Sequence, residues 1–461
     1  MKKRTFPSIQ VANILVMSIV LGSDVFAASD DMAGSNTTVS IEMKTNVNSA
    51  AQPESAAHSL ADAYQSSMAV ANTENLELQK ELLVQANEVD SQAFGALFPT
   101  VSGSVTALTQ AAPNTTTGQA ISPANQNTVK FTADQPLFRG LRDFAALRQK
   151  KFLVGAQVYA LLNSARQLFY DVSTAYYNVL SYAEDERNYQ IEIEVNNKRL
   201  KELEEFYKIG RSQLTDVLTF KANIASLQAQ LATTRGQLET AREVLAFVTG
   251  WHRDTKLEDR ETAIVKPGDV ATYLAKIDDR ADIQNAIANV QANDEGVPIA
   301  WGQHLPNADL IGDFYAARPG TLSDVNWDVQ FTLSIPIFQG GVVQSQVRQA
   351  QSVARQYNLL LSQTRRTAEQ EIRTFYDSLV ADQKQLAALT ELVEVSKKNS
   401  ETEIQYYRKG LVTNLDVLTA ITTYQDAQRQ MDHQRYTVKL DTVKLQAATG
   451  QRKEINVKDK K

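Results

Sequence analysis

The chain has 461 residues, 22% of them charged, with a formal net charge of -6 and no cysteine, and its length allows about three domains. No thiol is available for disulfides, cysteine metal sites, thiol catalysis or lipid attachment, and the acidic balance gives no global basic footprint for nucleic acid. Hydrophobic residues make up 43% and the mean hydropathy is -0.31, which excludes a polytopic helical membrane protein.

At the N-terminus, Lys2, Lys3 and Arg4 precede a mostly apolar stretch from Val11 to Leu21, and Val25-Phe26-Ala27 fits a cleavage site. Residues 1–27 therefore read as an export signal, too short in its apolar part to cross a bilayer of about 30 Å. Its removal takes away three cations and Asp24 and leaves a net charge of -8. Residues 28–55, rich in Ser, Asn, Thr and Ala, read as a flexible arm. No later apolar run reaches the roughly 20 residues of a spanning helix, so any membrane crossing must use strands.

A first unit is predicted over 56–250: a helix at 56–95, two strands, then two long helices. Strand 101–108 alternates Val101, Val105 and Ala107 with Ser102, Ser104 and Thr106, and strand 129–134 alternates Val129, Phe131 and Ala133 with Lys130, Thr132 and Asp134. The segment between them, 109–126, is polar and turn-rich. Pro136 is expected to end the ladder, since proline cannot donate there, and Gly140 closes a Pro-x-Phe-x-Gly corner. Residues 141–208 hold only Gly155 as a breaker, so one helix of about 100 Å is expected. Gly210 marks its turn, a position for permissive backbone angles. In the following helix Val217, Ile224, Leu231, Leu238 and Leu245 recur every seven residues, with Phe220, Leu227, Thr234, Ala241 and Val248 three later, an a/d seam.

A linker is expected at 251–275 and a second unit at 276–450, beginning with a shorter helix near 276–295. In strand 307–315, Ala308, Leu310, Gly312 and Phe314 alternate with mostly polar residues. Strand 327–335 sets Trp327, Val329, Phe331, Leu333 and Ile335 against Asp328, Gln330, Thr332 and Ser334. Nine alternating residues are about what a tilted strand needs to cross hydrocarbon; an ordinary hairpin with one buried face remains the alternative. Pro336 and Gly340 repeat the corner, Gly410 repeats the turn, and 342–409 contain neither Gly nor Pro. The second seam runs Val417, Tyr424, Met431, Val438 and Leu445, with polar Gln434 and Asp441 in its d series. Such imperfect seams suggest helices that touch two neighbours. The tail 451–461 is short and basic.

The second unit repeats the first at a constant offset of 200. Aligning 135–250 with 335–450 gives 24 identities in 116 positions, where average composition gives about 7. Tyr207-Lys208-Ile209-Gly210 returns as Tyr407-Arg408-Lys409-Gly410, Asp216-Val217-Leu218-Thr219 as Asp416-Val417-Leu418-Thr419, and Thr249-Gly250 as Thr449-Gly450.

On these corners, turns and closures, over 56–450, the chain resembles the TolC family of outer-membrane efflux and secretion channels, in its non-lipidated branch. The resemblance implies an α+β membrane protein. Four strands per chain form part of a shared 12-stranded barrel in a homotrimer, and a long helical barrel of coiled coils projects into the periplasm. It further implies a passive exit duct of a tripartite efflux pump or type I secretion system. The duct opens at its helix tips to a periplasmic adaptor and an inner-membrane transporter of RND, ABC or MFS type, and outer-membrane lipid surrounds the strands. No cofactor, no enzymatic activity and no nucleic-acid partner are implied. Asp416 matches the outer aspartate of the family's entrance ring, while Thr419 stands where the second aspartate would be. Tyr407 and Asp216 match a tyrosine and an aspartate that link coils in the closed state, Thr215 matches an adjacent acceptor, and the arginine of that network falls on Val412. The closed state is then held mostly by hydrogen bonds, or opens more easily.

The residues alone leave Asp416 with two roles, pore lining or capping, because Thr413-Asn414-Leu415-Asp416 has capping-box spacing. Asp216 lacks that match and keeps a simple dipole role. No phosphate loop, nucleophile elbow or His-Glu-x-x-His motif is present, and His58, His252, His304 and His433 are isolated. The alternative to a duct is a periplasmic coiled-coil scaffold or adaptor.

Overall fold

A computed structural model describes residues 57–69, 74–111, 124–260, 266–320 and 322–450. The expected signal, arm and basic tail lie outside the described residues, as does the middle of the first strand–strand loop.

Helices α1 (Leu60–Ala69) and α2 (Glu74–Gly95) lead into strands β1 (Thr100–Thr109) and β2 (Asn125–Arg139). Then come α3 (Arg142–Lys208) and α4 (Leu214–Thr249). Short helices α5 (Val270–Leu274), α6 (Ala281–Asp294) and α7 (Gly296–Trp301) precede β3 (Asn307–Ala317) and β4 (Trp327–Ser334). Helices α8 (Val342–Arg408) and α9 (Asn414–Ala448) end the described chain. At 67 residues each, α3 and α8 extend about 100 Å.

The strands form one antiparallel sheet in the order β1-β2-β3-β4. Its register stacks the apolar positions across all four strands: Val105 faces Val129, Phe131 faces Phe314, Leu310 faces Phe331 and Phe314 faces Trp327. That face is open, with Val105 77% and Trp327 67% exposed. The other face carries ion pairs between Lys130 and Asp313 at 2.9 Å, Arg139 and Asp309 at 3.3 Å, and Arg318 and Asp328 at 3.2 Å. A face of unpaired Val, Phe and Trp backed by a face of paired charges is the polarity of a lipid-facing strand.

Pro136 corrects one expectation. It does not end the ladder: it sits inside β2 opposite Asp309, and pairing continues to Arg139 opposite Asn307. The register slips between Pro136 and Phe138, and at a bulge the missing N–H costs no ladder bond. Pro336 differs, because β4 ends two residues before it at Ser334.

The helices pack lengthwise. In α4, Val217, Phe220, Ile224, Leu227, Thr234, Leu238, Ala241 and Leu245 are buried, which is the a/d seam. Helix α9 buries two faces. Tyr436 and Val443 join Val172, Tyr176, Leu238 and Leu245 of α3 and α4. Val438 and Leu445 join Ile372 and Leu379 of α8. Of its polar d positions, Gln434 donates to Asp382 of α8 at 2.9 Å. Near the upper end, Arg280 is 2% exposed and donates to the Ala448 carbonyl at 2.8 Å, Asp282 at 2.7 Å and Glu371 at 2.6 Å. One guanidinium thus ties α6, α8 and the end of α9 together.

Candidate functional site

Both long hairpins reverse through the same device. The N–H of Arg211 donates to Phe206 at 2.8 Å and that of Gly210 to Tyr207 at 3.0 Å; Leu411 donates to Tyr406 at 3.0 Å and Gly410 to Tyr407 at 2.9 Å. These 6→1 and 5→2 bonds are a Schellman ending. It needs a left-handed residue, and Gly210 and Gly410 have φ of 73° and 77°. The tips expose apolar side chains, with Ile209, Leu214, Leu411 and Leu415 all more than half exposed.

Each return helix then begins on an aspartate. Thr413 donates to Asp416 Oδ2 through its hydroxyl at 2.6 Å and its N–H at 2.9 Å, and the Asp416 N–H donates back at 3.3 Å. This is a full capping box. The bonds from Thr413 hold the Asp416 carboxyl below its ordinary range. Asp416 and Thr419 both remain exposed, so the cap leaves the acid on the surface of the tip. The Thr419 hydroxyl donates to the Leu415 carbonyl at 2.9 Å.

Asp216 departs from the sequence reading. It is not left to the dipole: its Oδ2 accepts from the Ser212 hydroxyl at 2.9 Å and from the Gln213 N–H at 3.2 Å. The cap is built from Gln213, a residue outside the usual capping set, so the Thr-x-x-acid spacing could not reveal it. Thr215 is exposed and donates to Gln213 Oε1 at 3.2 Å.

Tyr407 packs beside the apolar knot of Leu203, Val217, Phe220 and Leu418. Within one chain no hydrogen bond joins it to Asp216. Its face instead carries the guanidinium of Arg199, 4.4 Å from the ring centroid, and Phe206 lies 6.5 Å away. Arg199 is 5% exposed and donates to Glu202 at 2.7 Å, while its Nε and Nη2 are buried with no hydrogen-bond partner among the described residues. Arg408 approaches Glu202 at 3.6 Å from α8. Sequence reasoning missed Arg199, since one arginine in a 67-residue helix reads as a solvated face. Its counterpart in the second unit is Asn399, so the repeat gave no signal.

At the other end, Gly140 has φ 66°, and a Cβ there would lie 2.1 Å from the Gly302 carbonyl oxygen. That close approach seats the β2–α3 corner against the segment entering β3. Gly340 has φ 62° but open space around it. Among the described residues, no group of three or more His, Asp or Glu is placed to hold a metal ion, and no helix is long and apolar enough to cross a membrane.

The pattern of the family described as outer membrane efflux protein matches residues 66–251 and 275–451. The chain is 24% identical over 350 residues to "Outer membrane protein TolC" of Escherichia coli (strain K12), covering 71% of this chain and 70% of that one. It is 22% identical over 339 residues to "Outer membrane efflux protein BepC" of Brucella suis, covering 70% and 72%. Among solved structures, the outer membrane protein VceC of Vibrio cholerae superposes with a TM-score of 0.75 at 20% identity, covering 85% of this chain and 96% of that one. The CmeC outer membrane channel of Campylobacter jejuni gives 0.73 at 19%, covering 86% and 87%. At that identity the two structures establish the fold.

Proposed function

The chain belongs to the outer membrane efflux protein family, and from that premise we propose that three copies close one barrel and serve as the exit duct of a tripartite efflux pump or type I secretion system. Members of this family are outer-membrane efflux channels with a periplasmic portion.

One observation carries the trimer. The sheet has an apolar face, yet β1 and β4 are both open edges. Hydrocarbon offers no water to satisfy edge N–H and C=O groups, so a spanning sheet must close. Four strands cannot close on themselves, and three chains bring twelve. Lipid then covers the Val, Phe and Trp face, and the ion-paired face lines the lumen.

The long helices carry the duct toward a periplasmic adaptor. An inner-membrane transporter of RND, ABC or MFS type supplies the energy, and the channel does no chemistry. In this reading residues 1–27 are the removed export signal, 28–55 an arm, 56–250 and 276–450 the two units joined by 251–275, and 451–461 a tail. The tips form the gate. Three copies of Asp416 with Thr419 ring the entrance, while Asp216, Thr215 and Tyr407 set how the first and second hairpins meet. The exposed apolar tip residues around Leu411 and Leu415 offer the adaptor a docking surface.

Fractionation followed by mass measurement of the detergent-extracted protein tests the assembly. A particle of three chains in the outer-membrane fraction supports the duct. A single chain in the soluble periplasmic fraction contradicts it and favours a coiled-coil scaffold.

A further inference from the structure

The polar face of the sheet is built in rows that run across the strands. The register sets Ser102, Thr132, Asp313 and Asp328 in one row, and Thr100, Asp134, Ile311 and Gln330 in the next. Pro136, Asp309 and Thr332 make a third. The first and third rows are compensated. Asp313 is paired with Lys130 at 2.9 Å, Asp328 with Arg318 at 3.2 Å and Asp309 with Arg139 at 3.3 Å. The middle row has no cation. No ion pair reaches the half-buried Asp134 among the described residues, and its Oδ1 is buried with no hydrogen-bond partner there.

Assembly of further copies does not supply the missing cation. Residues 100–139 and 307–334 hold only three cations, Lys130, Arg139 and Arg318, against five acids, and each of the three is already committed. The edge strands β1 and β4 contain neither Lys nor Arg, and 110–124 carries no charge at all. Where β1 of one copy meets β4 of the next, nothing basic is therefore added beside Asp134. The fifth acid, Asp324, is exposed in the connection between β3 and β4. A closed ion pair is a short dipole whose field dies quickly. A single charge reaches about one Debye length, about 10 Å at 0.1 M salt, and like charges facing one lumen add their fields.

We propose that three copies of Asp134 form an acidic girdle inside the strand barrel, which admits cationic solutes ahead of anionic ones. The girdle rests on the duct reading, in which this face lines the lumen. It places a charge filter at the membrane, separate from Asp416 at the helix tips. Thr100, Ile311 and Gln330 are neutral, so Asp134 alone sets the sign of its row.

The chain has no cysteine, so one introduced thiol reports the potential at a chosen place. Gln330→Cys puts it in the row of Asp134 at an exposed position. The intact protein carrying it is reconstituted in lipid vesicles and treated with a cationic and an anionic methanethiosulfonate of similar size. At about 0.1 M salt the girdle predicts a cationic-to-anionic rate ratio about threefold above that of free cysteine. Adding Asp134→Asn returns the ratio to the free value. Asp134→Ser, which matches the neighbouring Ser102 and Ser104, answers the question should the amide fail to assemble. At about 1 M salt, where the Debye length is about 3 Å, the ratio falls toward the free value with Asp134 in place. A ratio that survives high salt, or that is unchanged when the Asp134 charge is removed, overturns the girdle and leaves the duct standing. A thiol at 330 that reacts with neither reagent shows that this face is no lumen, and the duct falls with the girdle.

Discussion

The hydroxyl of Thr413 donates to Asp416 at 2.6 Å, and the Asp416 N–H returns a bond to that same hydroxyl at 3.3 Å. The pair starts α9 and at the same time holds an exposed carboxylate at a fixed place on the tip. Thr413→Ala removes both bonds, leaving Asp416 the residue-413 N–H. A cap of this kind is worth about 1 kcal/mol, so a modest fall in Tm is expected, with the ion preference of the open channel kept. Calorimetry and conductance on the one variant separate the two effects.

The pH dependence of that cap has a definite sign. Thr413 lowers the Asp416 pKa below 3.8, so its contribution is complete above the free aspartate value and is lost as pH falls through the lower folded value. Thermal melts should show wild type losing its advantage over Thr413→Ala only in acid below about pH 4. An advantage that disappears nearer neutrality would contradict the capping geometry.

Arg199 over Tyr407 makes a second contrast. A buried cation on an aromatic face contributes about 1–2 kcal/mol. If the tip is a gate, Arg199→Ala raises the open population about tenfold, read as more frequent openings in a planar bilayer. Tyr407→Phe keeps the ring under the guanidinium and loses a hydroxyl that makes no hydrogen bond among the described residues, so it should change openings far less. Equal effects of the two variants would show that the hydroxyl, through a neighbouring chain, carries the contact.

Gly140→Ala should be the most damaging small substitution at the strand corner. The added Cβ would meet the Gly302 carbonyl at 2.1 Å, whereas Gly340→Ala meets nothing within 4 Å. Both pay the strain of a positive φ, about 1 kcal/mol. Only the first must also push two backbones apart. Heat-stable assembly on gels should be lost for Gly140→Ala and kept for Gly340→Ala.

Arg280→Met tests the upper tie. It takes the short bonds from Asp282, Glu371 and the Ala448 carbonyl and leaves the two acids only the longer contacts of Arg166, at 3.7 and 4.0 Å. Both acids are partly exposed and keep Arg166, so the cost falls below the roughly 3–5 kcal/mol of a fully buried pair. A fall in the Tm of the helical part by several degrees is expected, with channel conductance kept in the folded fraction.

Much of this was readable from residues because it rests on local periodicity. The α4 seam from Val217 to Leu245 is buried as the heptads require, apart from half-buried Leu231, and strand alternation gave the apolar face from Val101 to Leu333. What escaped depends on partners distant in sequence. Pro136 lies at a bulge whose position is set by β3. Asp216 is capped through Ser212 and the Gln213 backbone, which no side-chain spacing encodes. Arg199 matters through Tyr407 on another helix. Gln434 looked like a defect in a seam and donates to Asp382 of α8.

Conductance of the purified protein in planar bilayers, comparing wild type with Asp416→Ala, tests the account most directly. The duct with an acidic entrance predicts discrete channels whose cation preference falls in the variant. Channels with unchanged preference would confine Asp416 to its cap. No channels at all, with the protein soluble in the periplasm, would contradict the duct.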